Sequence, residues 1–175
     1  MPEIKIVLLQ DSPQIRAALC DVLIEVVANG GSVSFMHPLA LADADSFWEG
    51  SLAAAAKGGR IILGAFDGGS LVATLTLLLD CPPNQPHRAE LAKMMTRMSH
   101  RGRGIASALV QEAERLAVER GRTLLVLDTA VINGAAALYE KLGYTLAGII
   151  PDYALLPHGG LTGTMIYWKR IGAEG

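Results

Sequence analysis

The sequence predicts an α/β fold, a mixed central sheet of about six or seven strands flanked by about four helices. Three observations carry that reading. Apolar β-rich runs alternate with stretches whose apolar residues recur at helical spacing. Residues 60–66 and 70–79 flank Asp67-Gly68-Gly69, the pattern of a β-hairpin. In mid-chain a strand, a glycine loop, an amphipathic helix and an apolar strand follow one another, as in a right-handed βαβ unit.

In chain order, Ile4, Ile6 and Leu8 alternate as a first strand. Ser12-Pro13 supplies an N-cap and a first-turn proline. Ile15, Ala18, Leu19, Val22, Leu23 and Val26 then form one helical stripe, which Asn29-Gly30-Gly31 ends. Residues 30–38 have no period: they read either as a loop tucked onto the core or as a wall of a substrate pocket carrying Phe35 and Met36. Residues 43–57 form a second helix with Phe47, Trp48 and Leu52 free to pack, and Gly58-Gly59 stops it.

The run at 70–79 is apolar on both faces, hence a central strand. Pro82, Pro83 and Pro86 mark an irregular connection. Residues 87–98 read as a strand placing Arg88, Glu90, Ala92, Met94 and Thr96 on one face. A helix starts at Ile105 and closes at Gly121, and 123–127 is a buried parallel strand. A short helix at 133–142 stops at Gly143, before two closing strands at 144–150 and 162–169.

Composition bounds the partners. The 175 residues suit a single domain, 1–175, and are 51% hydrophobic and 18% charged, a surplus that a buried sheet or a homodimer interface would absorb. The net charge of −2 offers no general attraction to nucleic acid or an anionic membrane. No apolar run is long enough to cross a bilayer, and the N-terminus has no signal-type core. Cys20 and Cys81 stand alone, and His37, His87, His100 and His158 lack ligand spacing, so a cytoplasmic protein without a metal is expected.

The chemistry centres on Arg101-Gly102-Arg103-Gly104-Ile105-Ala106. Two glycines let the backbone approach a ligand, and the helix behind them presents unpaired N–H groups and its positive dipole end. That is an anion pocket suited to a pyrophosphate. A P-loop would need Lys followed by Ser or Thr, which are missing. A dinucleotide fingerprint is partly met, by Ser107 at the third small position and Asp128 downstream. Such a unit would, however, open its domain rather than follow an antiparallel meander.

The pattern Arg101-x-x-Gly104-x-Ala106 resembles the acetyl-CoA pyrophosphate loop of the GNAT superfamily of N-acetyltransferases. Asn133-x-x-Ala136-x-x-Tyr139-Glu140-Lys141-x-Gly143-Tyr144 is similar to that family's other common motif. The order of elements agrees over nearly the whole chain. Residues 30–36, Arg88-Ala89-Glu90, Lys93-Met94 and 124–129 further resemble the tabtoxin-resistance acetyltransferases, which inactivate a β-lactam amino-acid toxin. Met98 departs from the family, which often has proline there.

The resemblance implies a GNAT-like fold, acetyl-CoA as cosubstrate, and direct attack on its thioester by a primary amine of a small molecule. It implies that the cofactor contacts Met94, Met95, Thr96 and residues 101–106, that the Met95 or Thr96 amide serves as oxyanion donor, and that Asn133 bonds the pantetheine or pyrophosphate region. Tyr139 is then the general acid for the thiolate; its plain alternative is core packing. An amine near pKa 10 is mostly protonated at neutral pH, so a base is useful. Glu90 and Asp128 are the carboxylate candidates for base or substrate binding, alongside Phe35 and Met36 as substrate contacts. Acetylation of a protein amine and a non-catalytic acyl-CoA sensor are the competing expectations.

Overall fold

The computed structural model describes residues 3–172, the side chain of Asn133 excepted. Seven strands form one sheet in the order β1-β2-β3-β4-β5-β7-β6. The strands are β1 (Ile4–Leu8), β2 (Arg60–Asp67), β3 (Ser70–Leu78), β4 (Arg88–Thr96), β5 (Leu124–Ala130), β6 (Thr145–Leu155) and β7 (Leu161–Arg170). Only β4 and β5 run parallel, and α3 (Ile105–Glu119) joins them. Helices α1 (Pro13–Ala28) and α2 (Leu41–Ala56) cover one face, while α3 and the short α4 (Ala136–Lys141) cover the other.

Local chemistry explains the elements. The Ser12 hydroxyl accepts the Ile15 N–H at 3.1 Å, and Pro13 opens α1. The stripe Leu19, Val22, Leu23 and Val26 of α1 is buried against Trp48 and Leu52 of α2 and the sheet. Each aliphatic side chain so buried contributes about 1.5–3 kcal/mol of transfer free energy. On the opposite face Leu109, Val110 and Ala113 of α3 pack on Leu63, Leu75 and Leu77.

Trp48 packs as its helical spacing implies: it is 0% exposed inside the α1/α2 core. Three sequence expectations are corrected. The single face expected for residues 88–96 breaks at a bulge. Thr74 pairs with Met95 but Thr76 with Ala92, so β4 carries an extra residue there, and Lys93 adopts a left-handed φ of 53°. Ala89, Leu91 and Met94 therefore pack toward α3, whereas Met95 packs toward α1 and α2; Glu90 does not share the Met94 face. The expected helix at 133–142 begins as a 3₁₀ turn, Val131–Asn133, and becomes α-helical only at Ala136. Finally β6 runs on to Leu155 across an irregularity between Ile150 and Ala154, where Asp152 has φ 51°.

Candidate active site

The site follows from how β4 and β5 diverge. They pair only at Arg88–Leu124, Ala89–Leu125 and Glu90–Val126. Beyond that point each keeps its outer neighbour, β4 with β3 and β5 with β7, and the inner edges are free of one another. A cavity of about 710 Å³ opens at the gap, lined by Met94, Met95, Thr96, the loop 100–102 and the head of α3. Such a volume lies within the usual range for ligand clefts.

The loop is built as an anion cradle. Gly102 and Gly104 hold φ of 72° and 77°, left-handed values that L side chains resist. Gly104 is the N-cap of α3 and supplies no side chain to occupy the free N–H groups of the first turn. Ile105, Ala106 and Ser107 line the cavity at that point. Arg101 lies on its wall and donates Nε to the Thr96 carbonyl at 3.4 Å. Arg103 turns away, its Nη1 lying 3.5 Å from Asp67 Oδ2. An uncapped helix head behind two left-handed glycines fits a bound pyrophosphate.

Two anchors fix this loop, and each joins residues far apart in the chain. The Glu25 carboxylate on α1 lies 2.6 Å from Arg97 Nη1 and accepts the Met98 N–H at 2.9 Å. Burial works against the charge on Glu25, yet the Met98 N–H and the Arg97 guanidinium hold its carboxyl below the usual glutamate value. A proline at position 98 would have no N–H for this bond. Across the loop, His100 Nε2 lies 2.9 Å from Asp67 Oδ2, and His100 lines the cavity. The signals were present as Met98 in place of proline and as a histidine beside the loop, but both partners are distant in sequence.

Tyr139 closes the cavity from α4 and is 4% exposed. Its ring lies edge-on to Tyr144, with centroids 5.7 Å apart, and tilted to Tyr167 at 6.0 Å. Those two neighbours give their hydroxyls to Glu114 and Glu140, both at 3.0 Å. Burial and then the Asp128 charge push the Tyr139 pKa up to about 12, keeping the phenol protonated throughout the neutral range. Asn133 ends the 3₁₀ turn before Gly134; its side chain lies outside the described residues.

A second cavity, about 310 Å³, adjoins the first and shares Ser32 and Thr129 with it. Ser34, Phe35, Met36, Asp128, Tyr153 and Thr164 are among its walls. Phe35 packs on the α1/α2 core and also faces this cavity. Asp128 Oδ2 accepts the Thr164 hydroxyl at 3.3 Å. Glu90 belongs to neither cavity wall; its Oε2 lies 3.4 Å from Arg88 Nη1. The carboxylate pair expected across the cleft is thus one carboxylate in the cavity and one behind it.

Fold and site together define a class: an α/β protein whose divergent parallel strands and helix-head loop form a phosphate cradle joined to a second pocket. The model of the acetyltransferase (GNAT) family matches residues 32–144. N-acetyltransferase 8 of Rattus norvegicus is 35% identical over 86 residues, 48% of this chain and 39% of that one. N-alpha-acetyltransferase MAK3 of Arabidopsis thaliana is 36% identical over 92 residues, 52% of this chain and 48% of its own. The alignments thus span less than half the length of either relative. Structurally the chain resembles yncA of Salmonella typhimurium, solved with its cofactor acetyl-CoA, at TM-score 0.78 and 14% identity over 98% of this chain and 96% of that one. The chain belongs to the acetyltransferase (GNAT) family.

Proposed function

We propose that the protein is an acetyl-CoA-dependent N-acetyltransferase acting by direct attack of a small molecule's primary amine. The observation that carries this is the pair of joined cavities, one a phosphate cradle and the other bearing Asp128. When bound, acetyl-CoA supplies the activated acetyl thioester. The helix head, Arg101 and the inner edge of β4 (Met94 to Thr96) bind and orient it.

Asp128 holds the acceptor's ammonium at the shared wall and takes its proton, directly or through water. Tyr139, protonated at neutral pH, donates to the departing sulfur. Glu90, one wall away, acts on the site's charge balance rather than on the substrate. The cofactor side of Asn133 and the oxyanion role of the Met95 or Thr96 amide rest on the family resemblance.

The relative named an N-alpha-acetyltransferase keeps a protein amine in view as the second reading. The second cavity's size, about 310 Å³, favours a small acceptor, and an amino-acid-like toxin of the tabtoxin type is one such molecule. Cys20 and Cys81, both unpaired, support a reducing cytoplasm. No helix among the described residues is long and apolar enough to cross a membrane. Exposed Leu146, Ile149, Ile150, Tyr153 and Leu155 on edge strand β6 favour a homodimer joined there, which sedimentation would test.

The deciding experiment is thiol release from acetyl-CoA with a panel of amino acids, polyamines, β-lactam amino acids and peptides. Amine-dependent release with a small member is expected. Acetyl-CoA binding without release from any amine would support a sensor and overturn the enzyme.

A further inference from the structure

Among the described residues, three non-glycine ones carry left-handed backbones: Ser34 at φ 79°, Lys93 at 53° and Asp152 at 51°. Two of them meet. Lys93 Nζ donates to Ser34 Oγ at 3.1 Å, bridging the β4 bulge and the 30–38 loop. Neither Ser nor Lys is suited to this conformation, and strain of that kind concentrates at ligand sites.

The surroundings say what the pair could hold. Ser34 lines the second cavity, with Lys93 directly behind it. The ammonium also sits 5.6 Å from the centre of the Phe47 ring, and Phe47 packs edge-on to the cavity residue Phe35 at 5.2 Å. Burial lowers the Lys93 pKa, Asp128 and Glu90 raise it, and Arg60 lowers it. Because Ser34 Oγ already accepts a hydrogen bond from Lys93, its own hydroxyl proton is free to donate elsewhere. The cavity therefore has a cation-backed donor on one wall and the Asp128 carboxylate on another.

We propose that Lys93 and Ser34 are the specificity element of the acceptor cavity, gripping a carboxylate on the acceptor while Asp128 holds its ammonium. This rests on the amine-acetylating reading above and adds a requirement to it: amines bearing a nearby carboxylate are chosen over amines without one. Glu90, acting on Lys93, then tunes the grip from outside the cavity.

The test compares the proteinogenic L-amino acids with their α-carboxamides as acceptors, using the full chain and thiol release from acetyl-CoA. The free acids should be favoured roughly ten-fold or more in kcat/KM, chiefly through KM, as expected for one charge-assisted hydrogen bond. Lys93→Asn suits the left-handed backbone while removing the charge, and with Ser34→Ala it should bring the ratio toward one; Lys93→Arg should keep part of it. If Lys93→Asn fails to fold, the wild-type ratio and Ser34→Ala still decide. A wild-type ratio near one, or a preference untouched in the variants, overturns the proposal. Release with carboxamides or peptides but not free acids overturns it and leaves acetyl transfer standing. Release from no amine overturns both.

Discussion

The two cavities are made of different materials. The larger is shaped by backbone: two left-handed glycines, the bare head of α3 and the free edge of β4. The smaller is shaped by side chains from separate elements, Ser34, Phe35 and Met36 from a loop, Asp128 from β5, and Tyr153 from β6. A backbone cradle needs a few small residues at fixed spacing, so one form can be reused with many acceptors. A side-chain pocket is redrawn by each substitution. The comparison thus separates what is common to the family from what is particular to this chain.

The difference makes a graded set of expectations. Tyr139→Phe should cause the largest loss, roughly 10²–10⁴ in kcat, with little change in acetyl-CoA affinity by calorimetry. Unchanged turnover would remove the phenol from the chemistry. With its pKa raised to about 12, Tyr139 is neutral below pH 10 and ionises only as pH rises through the folded value. A kcat–pH profile should accordingly show no Tyr139 limb between pH 6 and about 10.

Asp128→Asn comes next and should fall on the acceptor side alone. A loss of roughly 10- to 100-fold in kcat/KM for the amine is expected, at near-constant KM for acetyl-CoA. Equal loss for both substrates would erase the distinction between the cavities.

Glu25→Gln tests the scaffold of the larger cavity. Two hydrogen bonds to a charged carboxylate are weakened, so unfolding in urea near pH 7 should show a loss of about 1.5–3 kcal/mol. The folded pKa of Glu25 is depressed, so its stabilisation is present above the ordinary glutamate value and is lost as pH falls below it. Wild type and variant should therefore converge in acid. A constant gap down to pH 3 would show that packing, not charge, is responsible.

The smallest effect is expected for Glu90→Gln, roughly two- to three-fold in acceptor KM, because this carboxylate acts through Lys93 across a partly solvated path. Its acidic kcat/KM limb should match wild type. A displaced limb would return Glu90 to the role of base.

Much of this plan is legible in the sequence. Element order, the βαβ unit and the glycine loop all rest on local spacing, and local spacing survives folding. The alternation along β4 misled, because the bulge at Lys93 arises from pairing with β3 and leaves no mark in β4's own sequence. Trp48 shows its period on the helix but not its partner; α1 supplies the partner. Asp128 and Glu90 looked equivalent because both lie on strands flanking the cleft. What separates them is register: Glu90 pairs with Val126 in the closed part of the sheet, whereas Asp128 lies beyond the point where the strands part. The Glu25 and Asp67 anchors join residues far apart in the chain, as in Glu25 with Met98, and no spacing rule reaches them.

The parting of β4 from β5 has a consequence for the protein's endurance. A sheet with a seam of free inner edges lacks part of its ladder, and a ligand that lies along the seam stands in for the absent rungs. Any molecule that binds only the folded chain raises its stability by mass action, about 2.7 kcal/mol at a hundred times Kd. The melting temperature should then climb with acetyl-CoA concentration, and survival of the chain in a cell would follow the supply of activated acetyl groups.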